Sequence, residues 1–142
     1  MTFAKEHDQK PATKGGIFEG NLVDEAMADT PVVVIQGARQ TGKSTIAEQI
    51  ASEHGVQVFT MDDAGARAAA EADPEAFVAT AGDELLVIDE IQRLPQLILP
   101  IKAAVDRDRR PGRFLLTGSA DLMRVPGAED SLAGRAETIH LA

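Results

Sequence analysis

The fold of this chain is decided by residues 32–54, which read VVVIQGARQTGKSTIAEQIASEH. The opening apolar residues do not alternate with polar ones, a pattern typical of a strand that is buried on both faces. Further along, Ile46 and Ile50 share the face of a helix predicted over residues 45–54, which Gly55 ends as a C-cap. A glycine-containing loop therefore joins a buried strand to a helix, as in parallel α/β sheets.

The rest of the chain repeats this alternation of strand and helix. Apolar runs predict further strands at Val56–Thr60, Leu85–Ile88, Phe114–Leu116 and Ile139–Leu141. Helical spacing predicts helices at residues 17–29, Ala64–Glu71 and Ile98–Arg107. The sequence thus predicts a three-layer α/β fold, a parallel sheet with helices on both faces. We expect one domain over residues 17–142, preceded by a disordered tail or leader at residues 1–16.

Composition narrows the class of protein. A net charge of −9 argues against a broadly basic nucleic-acid surface. A local DNA-contacting patch at residues 107–113 is the alternative to a solvated arginine-rich turn. The absence of cysteine excludes disulfides and cysteine-bound zinc. No apolar run approaches the ~20 residues of a membrane span, and the N-terminus lacks a signal peptide's apolar core, so we expect a cytoplasmic protein.

Residues 37–44 match the phosphate-loop pattern G-x-x-x-x-G-K-[ST] in full. The glycines allow a tight turn in which successive backbone N–H groups face the phosphates of a nucleotide. Lys43 is expected to reach the β- and γ-phosphates, and the Ser44 hydroxyl to bind Mg²⁺. The helix that follows directs its positive end at the nucleotide. The alternative is a glycine turn before a helix that matches the pattern by chance.

Two carboxylates, Asp89 and Glu90, follow the apolar run at residues 85–88. In parallel α/β sheets, ligands bind at the carboxyl ends of the strands. We therefore expect Asp89 to contact Mg²⁺, directly or through water, and Glu90 to deprotonate an attacking water. A solvated strand end is the alternative. Asp62 and Asp63 follow the second strand, and a helix N-cap is the expected use of one of them, with metal or water contact as the alternative.

Beyond these motifs, the chain resembles the AAA-type ATPase domain (AAA family 14) of prokaryotic ATP-binding proteins that carry a C-terminal domain of unknown function. The resemblance runs from about Val32 to Leu141. It rests on GARQTGKST at 37–45, DD at 62–63, DP at 73–74, IDEIQ at 88–92, GRFLLTGSA at 112–120 and SLAGR at 131–135. It implies a P-loop NTPase fold with strand order 5-1-4-3-2 and Mg-dependent ATP hydrolysis. It also implies truncation after the ATPase core, with a C-terminal domain or partner missing.

The resemblance also suggests further site residues. Thr117 and Ser119 would face the γ-phosphate as sensors, or would only end the fourth strand in a turn. Arg135 would stabilise transferred phosphate charge, often across a subunit interface and hence through self-association, or would pair with a neighbouring carboxylate such as Glu137. The residues expected to bind the nucleotide are Gly37, Ala38, Arg39, Gln40, Thr41, Gly42, Lys43, Ser44, Thr45 and Ser119. The expected catalytic residues are Lys43, Glu90 and Arg135, with Ser44 and Asp89 on the metal.

Three other functions are considered. A P-loop phosphotransferase is disfavoured because Glu90, a candidate base for water, follows Asp89 directly. A module that responds to nucleotide without turnover fits a truncated chain. A GTP-specific switch usually carries an Asn/Thr-Lys-x-Asp motif that reads the base, and this sequence has none. ATP is preferred on that ground.

Overall fold

The computed structural model describes residues 17–38, 41–119, 122 and 127–141. The tail predicted at residues 1–16 lies outside them, as do Arg39 and Gln40. Six α-helices are present in this part of the chain: α1 Ile17–Asp29, α2 Lys43–His54, α3 Ala64–Ala72, α4 Pro74–Ala79, α5 Ile98–Arg107 and α6 Ala128–Leu132. Short 3-10 helices occupy Ile91–Arg93 and Pro95–Leu97. None of the described helices is long and apolar enough to cross a membrane.

The strands are β1 Val32–Gln36, β2 Val58–Thr60, β3 Leu86–Asp89, β4 Phe114–Gly118 and β5 Ala136–His140. They form one sheet in the order β2-β3-β4-β1-β5, with every neighbouring pair parallel. Read from the other edge, this is the predicted order 5-1-4-3-2, so the predicted fold is confirmed. Because all strands run the same way, their carboxyl ends meet at one edge of the sheet.

Two apolar cores, one on each face of the sheet, account for the continuous hydrophobic runs. In β1 all five residues are buried, and successive side chains enter opposite cores. Val32 and Val34 belong to the core that contains residues of α3, α4, α5 and α6. Val33 and Ile35 belong to the core formed with α1 and α2. A central parallel strand therefore has no polar face.

The boundaries of several elements differ from the prediction. Strand β5 begins at Ala136, three residues before the predicted Ile139. The prediction missed this start because the residues of this edge strand alternate between buried and half-exposed and so lack a continuous apolar run. Helix α2 begins at Lys43, ahead of the predicted Thr45. Helix α4 was not predicted, although Asp73 caps it by accepting a hydrogen bond from the N–H of Ala76 at 3.1 Å. Helix α6 was not predicted either.

The predicted helix caps are confirmed. Gly55 ends α2 with φ of +68°, in the left-handed region that glycine tolerates best, and donates its N–H to the Ser52 carbonyl at 3.1 Å. Asp63 caps α3, since its carboxylate accepts a hydrogen bond from the N–H of Ala66 at 2.8 Å. Its neighbour Asp62 pairs with Arg93 at 3.0 Å. These two aspartates thus hold the chain that follows β2.

Two arginines of the segment between α5 and β4 bond to other groups of the same chain. Arg110 contacts Asp108 and donates to the Gly82 carbonyl at 3.0 Å. Arg113 donates to the carbonyl of Ala104, near the end of α5, at 2.6 Å. These contacts support the interpretation of the segment as a turn.

Helix α5 offers a matched test of the packing. Ile101 is fully buried, whereas Leu99, on the same helix, is 66% exposed. Ile101→Ala should lower the free energy of unfolding by about 2–5 kcal/mol, because it removes buried methyl groups and leaves a cavity. Leu99→Ala should change it by less than about 0.5 kcal/mol. Urea denaturation of both variants measures the difference, and equal effects would contradict the packing of α5 described above.

Candidate functional site

The loop between β1 and α2 passes close to other backbone. Gly37 donates its N–H to the carbonyl of Gly118 at 3.2 Å, and a Cβ placed on Gly37 would lie only 2.7 Å from the Thr41 hydroxyl oxygen. Gly42 has φ of +89° and precedes α2 without a side-chain cap. Gly42 itself therefore offers no side-chain acceptor to the first N–H groups of α2, the groups that can bind an anion at the start of a helix.

The first two residues of α2 contact the acidic pair. Lys43 is 4% exposed, and its Nζ lies 3.1 Å from Oε2 of Glu90. Ser44 donates its hydroxyl to Oδ1 of Asp89 at 2.9 Å. The fold thus brings together two pairs of residues more than forty positions apart in sequence. An ammonium, a hydroxyl and two carboxylates meet at the carboxyl edge of the sheet.

Thr117, near the end of β4, forms hydrogen bonds to both acidic residues. Its hydroxyl donates to Oδ1 of Asp89 at 2.6 Å and accepts a hydrogen bond from the backbone N–H of Glu90 at 2.9 Å. The parallel pairing of Ile88 with Leu116 places Thr117 beside these residues. Thr117 is fully buried, so its hydroxyl is committed to the two acidic residues. Neither of its two predicted roles, sensor or simple strand end, included this bond.

Glu90 turns the chain sharply out of β3. Its φ of +57° and ψ of +50° make it the one described residue other than glycine in the left-handed region, which costs about 1–3 kcal/mol. The 3-10 helix that follows brings the Gln92 amide nitrogen to 2.7 Å from Oε1 of Glu90. The amide oxygen of Gln92 accepts the backbone N–H of Ser119 at 3.2 Å.

Sequence reasoning assigned Gln92 no role. The available signal was a polar residue two positions after Glu90, next to the buried Ile91 and two positions before the buried Leu94. Such a pattern does not distinguish a residue that reaches the site from one that reaches solvent. The contact with Glu90 depends on the left-handed turn, which the sequence does not reveal at a glutamate.

The residues present fit a magnesium nucleotide. Mg²⁺ takes hard oxygen ligands and usually binds one or two protein oxygens together with waters and substrate phosphates. Ser44 Oγ and Asp89 Oδ1 form such a pair. Among the described residues no group of three His, Cys, Asp or Glu side chains is placed to hold a metal, so this is not a metal cage made by protein side chains alone. At Gly37, a side chain would collide with the loop's own Thr41.

The structure places the predicted site residues in two groups. At the carboxyl edge of the sheet or in the adjoining loop and helix lie Gly37, Ala38, Thr41, Gly42, Lys43, Ser44, Thr45, Asp89, Glu90 and Ser119. Arg135 is instead at the opposite edge, because it immediately precedes Ala136, which pairs with the first residue of β1. Within its own subunit, Arg135 is therefore separated from the phosphate loop by the length of a strand.

Arg135 makes a different ion pair from the one considered. Its Nε donates to Oδ1 of Asp106 at 2.7 Å and its Nη2 to Oδ2 at 3.1 Å. The alternative of an ion pair with a carboxylate agrees with this contact, but the partner is Asp106, in the last turn of α5, rather than Glu137. Glu137 instead is buried within β5 and accepts a hydrogen bond from Thr30 at 3.1 Å.

This ion pair predicts a pH dependence of stability. The hydrogen bond from Arg135, supported by Lys102, lowers the pKa of Asp106 from 3.8 to about 2. The stabilisation is therefore complete above about pH 3.8 and disappears as the pH falls toward about 2. The difference in unfolding free energy between wild type and Asp106→Asn should shrink over this range in urea titrations. A difference that stays constant or grows on acidification would contradict the assignment.

The Thr117 hydroxyl is testable by an isosteric change. Thr117→Val should lower the free energy of unfolding by about 1–3 kcal/mol, because the buried N–H of Glu90 and one oxygen of Asp89 lose a partner. Thr117→Ser keeps the hydroxyl and is the matched control. Chemical denaturation of both variants measures the effect. If valine is tolerated as well as serine, the hydroxyl does not hold the acidic pair.

Comparison with known proteins agrees with this architecture. A family model described as an AAA domain matches residues 29–142. Two relatives, the uncharacterized proteins Mb2031c of Mycobacterium bovis and Rv2008c of Mycobacterium tuberculosis, are each 37% identical to the chain over 118 residues. The alignment covers 82% of this chain and 26% of each relative. The chain therefore spans about a quarter of the length of the curated relatives it matches.

Proposed function

The chain belongs to the AAA domain family, and we propose that it binds Mg-ATP at residues 37–44 and hydrolyses it. As a member of this family it is an AAA-type nucleotide-binding domain, and hydrolysis is the step that the proposal adds. The observation that carries the proposal is the pair of contacts by which Lys43 meets Glu90 and Ser44 meets Asp89. Together they gather phosphate-binding, metal-binding and proton-accepting groups at one point.

Phosphate binding uses the loop backbone and Lys43. In the proposed complex, Lys43 exchanges the carboxylate of Glu90 for the β- and γ-phosphate oxygens, so the buried ammonium keeps an anionic partner throughout. Ser44 and Asp89 would hold Mg²⁺, which supplies positive charge to the phosphoryl group during transfer. The close approach at Gly37 and the uncapped start of α2 support this placement of the phosphates.

Glu90 is the proposed general base. Its carboxylate is mostly buried, with 14% of the side chain exposed, and one of its oxygens contacts Lys43. Once Lys43 has moved to the phosphates, that oxygen is available to take a proton from the attacking water. Transfer to water rather than to a small-molecule acceptor is preferred because a carboxylate stands next to the metal ligand Asp89.

Arg135 enters the proposal only through a second copy of the chain. Its position at the far edge of the sheet rules out a contact with phosphates bound in its own subunit, and its two hydrogen bonds to Asp106 would first have to break. Self-association with Arg135 supplied in trans is therefore a separate proposal. The hydrolysis proposed for Lys43 and Glu90 does not depend on it.

A nucleotide-responsive module without turnover is the second candidate. Both oxygens of Glu90 are engaged, one by Lys43 and the other by Gln92, which would hold the carboxylate away from water until Lys43 leaves. Because the chain spans about a quarter of its relatives, we propose that a further domain or partner receives the nucleotide-dependent change. We also propose that the protein is cytoplasmic.

Steady-state phosphate release with Mg-ATP tests the proposal. Lys43→Ala should weaken nucleotide binding about 10–100-fold, because the phosphates lose a charged partner. Glu90→Gln should keep binding and lower kcat by at least about 100-fold, the usual contribution of a general base. Arg107→Ala and Glu84→Gln are controls, since both residues lie outside the site and are exposed.

Each result selects one function. Turnover by wild type and both controls, lost in Glu90→Gln while binding persists, supports the ATPase. Wild-type protein that binds Mg-ATP without releasing phosphate, even when concentrated, supports the binding module. Equal turnover in wild type and Glu90→Gln would contradict the assignment of the base.

A further inference from the structure

We propose that Gln92 is a positioning residue for hydrolysis, which holds one oxygen of Glu90 so that the other faces the attacking water. The inference rests on the proposed function and deepens it. Gln92 touches neither of the residues that we assign to the metal. It acts through Glu90, by the 2.7 Å hydrogen bond from its Nε2 to Oε1 of the carboxylate.

The two ends of the Gln92 amide have partners of opposite kind, which sets its orientation. A carboxylate oxygen only accepts hydrogen bonds, so it requires the NH₂ group of the amide. The backbone N–H of Ser119 only donates, at 3.2 Å, so it requires the amide oxygen. A flipped amide would lose both bonds. The side chain thus links Glu90 to the end of β4 in one arrangement.

The neighbouring backbone leaves room for this link. At Gly118, the residue before Ser119, an added Cβ would lie 3.2 Å from the Gln92 amide oxygen and 2.9 Å from Cδ2 of Leu122. A side chain at this position would press on the amide. The small residue at 118 therefore lets Gln92 approach the strand end closely enough to accept the N–H of Ser119.

The two carboxylate oxygens of Glu90 have different partners and, in this proposal, different roles. Oε2 lies 3.1 Å from Lys43 Nζ, the partner that the nucleotide would withdraw. Oε1 lies 2.7 Å from the amide nitrogen of Gln92, a residue to which we assign no phosphate contact. After Lys43 leaves, the bond to Gln92 restricts the rotation of the carboxylate. The base is then held in place when it accepts a proton, as pre-organised catalysis requires.

Gln92→Leu tests the inference, because leucine has a similar size and makes neither hydrogen bond. We expect kcat for phosphate release to fall about 10-fold or more, the effect of losing a hydrogen bond to a charged group. The Kd for Mg-ATP should stay within about 2-fold, since the hydrogen bonds of Gln92 go to Glu90 and Ser119 and not to the described residues of the phosphate loop. Gln96→Leu, on the exposed face of the next 3-10 helix, is the matched control. Thermal unfolding of each variant confirms that it is folded.

A double-mutant cycle separates positioning from a general structural effect. If Gln92 acts through Glu90, adding Gln92→Leu to Glu90→Gln should lower kcat no further. A merely structural role would lower the two backgrounds by the same factor, and this would overturn the inference, as would a Gln92→Leu variant with unchanged kcat. Absence of phosphate release from the wild type would instead remove the proposed hydrolysis, and the inference with it.

Should Gln92→Leu fail to fold, Gln92→Asn carries the same test. It keeps the amide but is one methylene shorter, so it cannot span from Glu90 to Ser119. The same fall in kcat with an unchanged Kd supports the inference. A kcat equal to that of wild type overturns it.

Discussion

One buried hydroxyl holds the site together. Thr117, at the end of β4, bonds to the Asp89 carboxylate and to the Glu90 backbone, both at the end of β3. Parallel pairing of the two strands is what sets these groups side by side, and β1 on the other flank of β4 delivers Lys43 and Ser44 to the same edge. A shift of one residue in the pairing of β3 with β4 would turn the side chains of Asp89 and Thr117 toward opposite faces of the sheet. The chemistry of the site is therefore a consequence of strand register.

Charge balance is the second constraint. Lys43 is almost fully buried, and a buried ammonium is tolerated only with an anionic partner. Glu90 fills that requirement in the structure, and phosphate oxygens would fill it in the proposed complex. The exchange costs little because one charged hydrogen bond replaces another. In the proposed mechanism it would also leave Glu90 without its lysine, so that nucleotide binding and activation of the proposed base would be coupled.

Much of this was predictable, for identifiable reasons. Continuous apolar runs revealed the central strands, because these strands are buried on both faces. The phosphate-loop pattern predicted Lys43 and Ser44 as candidate site residues. Strand β5 was misplaced because an edge strand carries half-exposed residues and so lacks that signal. The sequence did not predict the hydrogen bonds of Thr117 and Gln92, or the ion pair of Arg135 with Asp106. Each contact depends on residues brought near by strand register or by the left-handed turn at Glu90. Long-range hydrogen-bond partners of this kind leave no local pattern.

Equilibrium binding of a non-hydrolysable ATP analogue tests whether these residues form one nucleotide site. Titration calorimetry with and without Mg²⁺, on wild type and on Ser44→Ala, measures both binding and its dependence on the metal. We expect saturable binding to wild type that Mg²⁺ strengthens, and a loss of that strengthening in Ser44→Ala because the metal loses a ligand. No saturable binding to folded wild-type protein, or binding that Mg²⁺ leaves unchanged, would contradict this expectation.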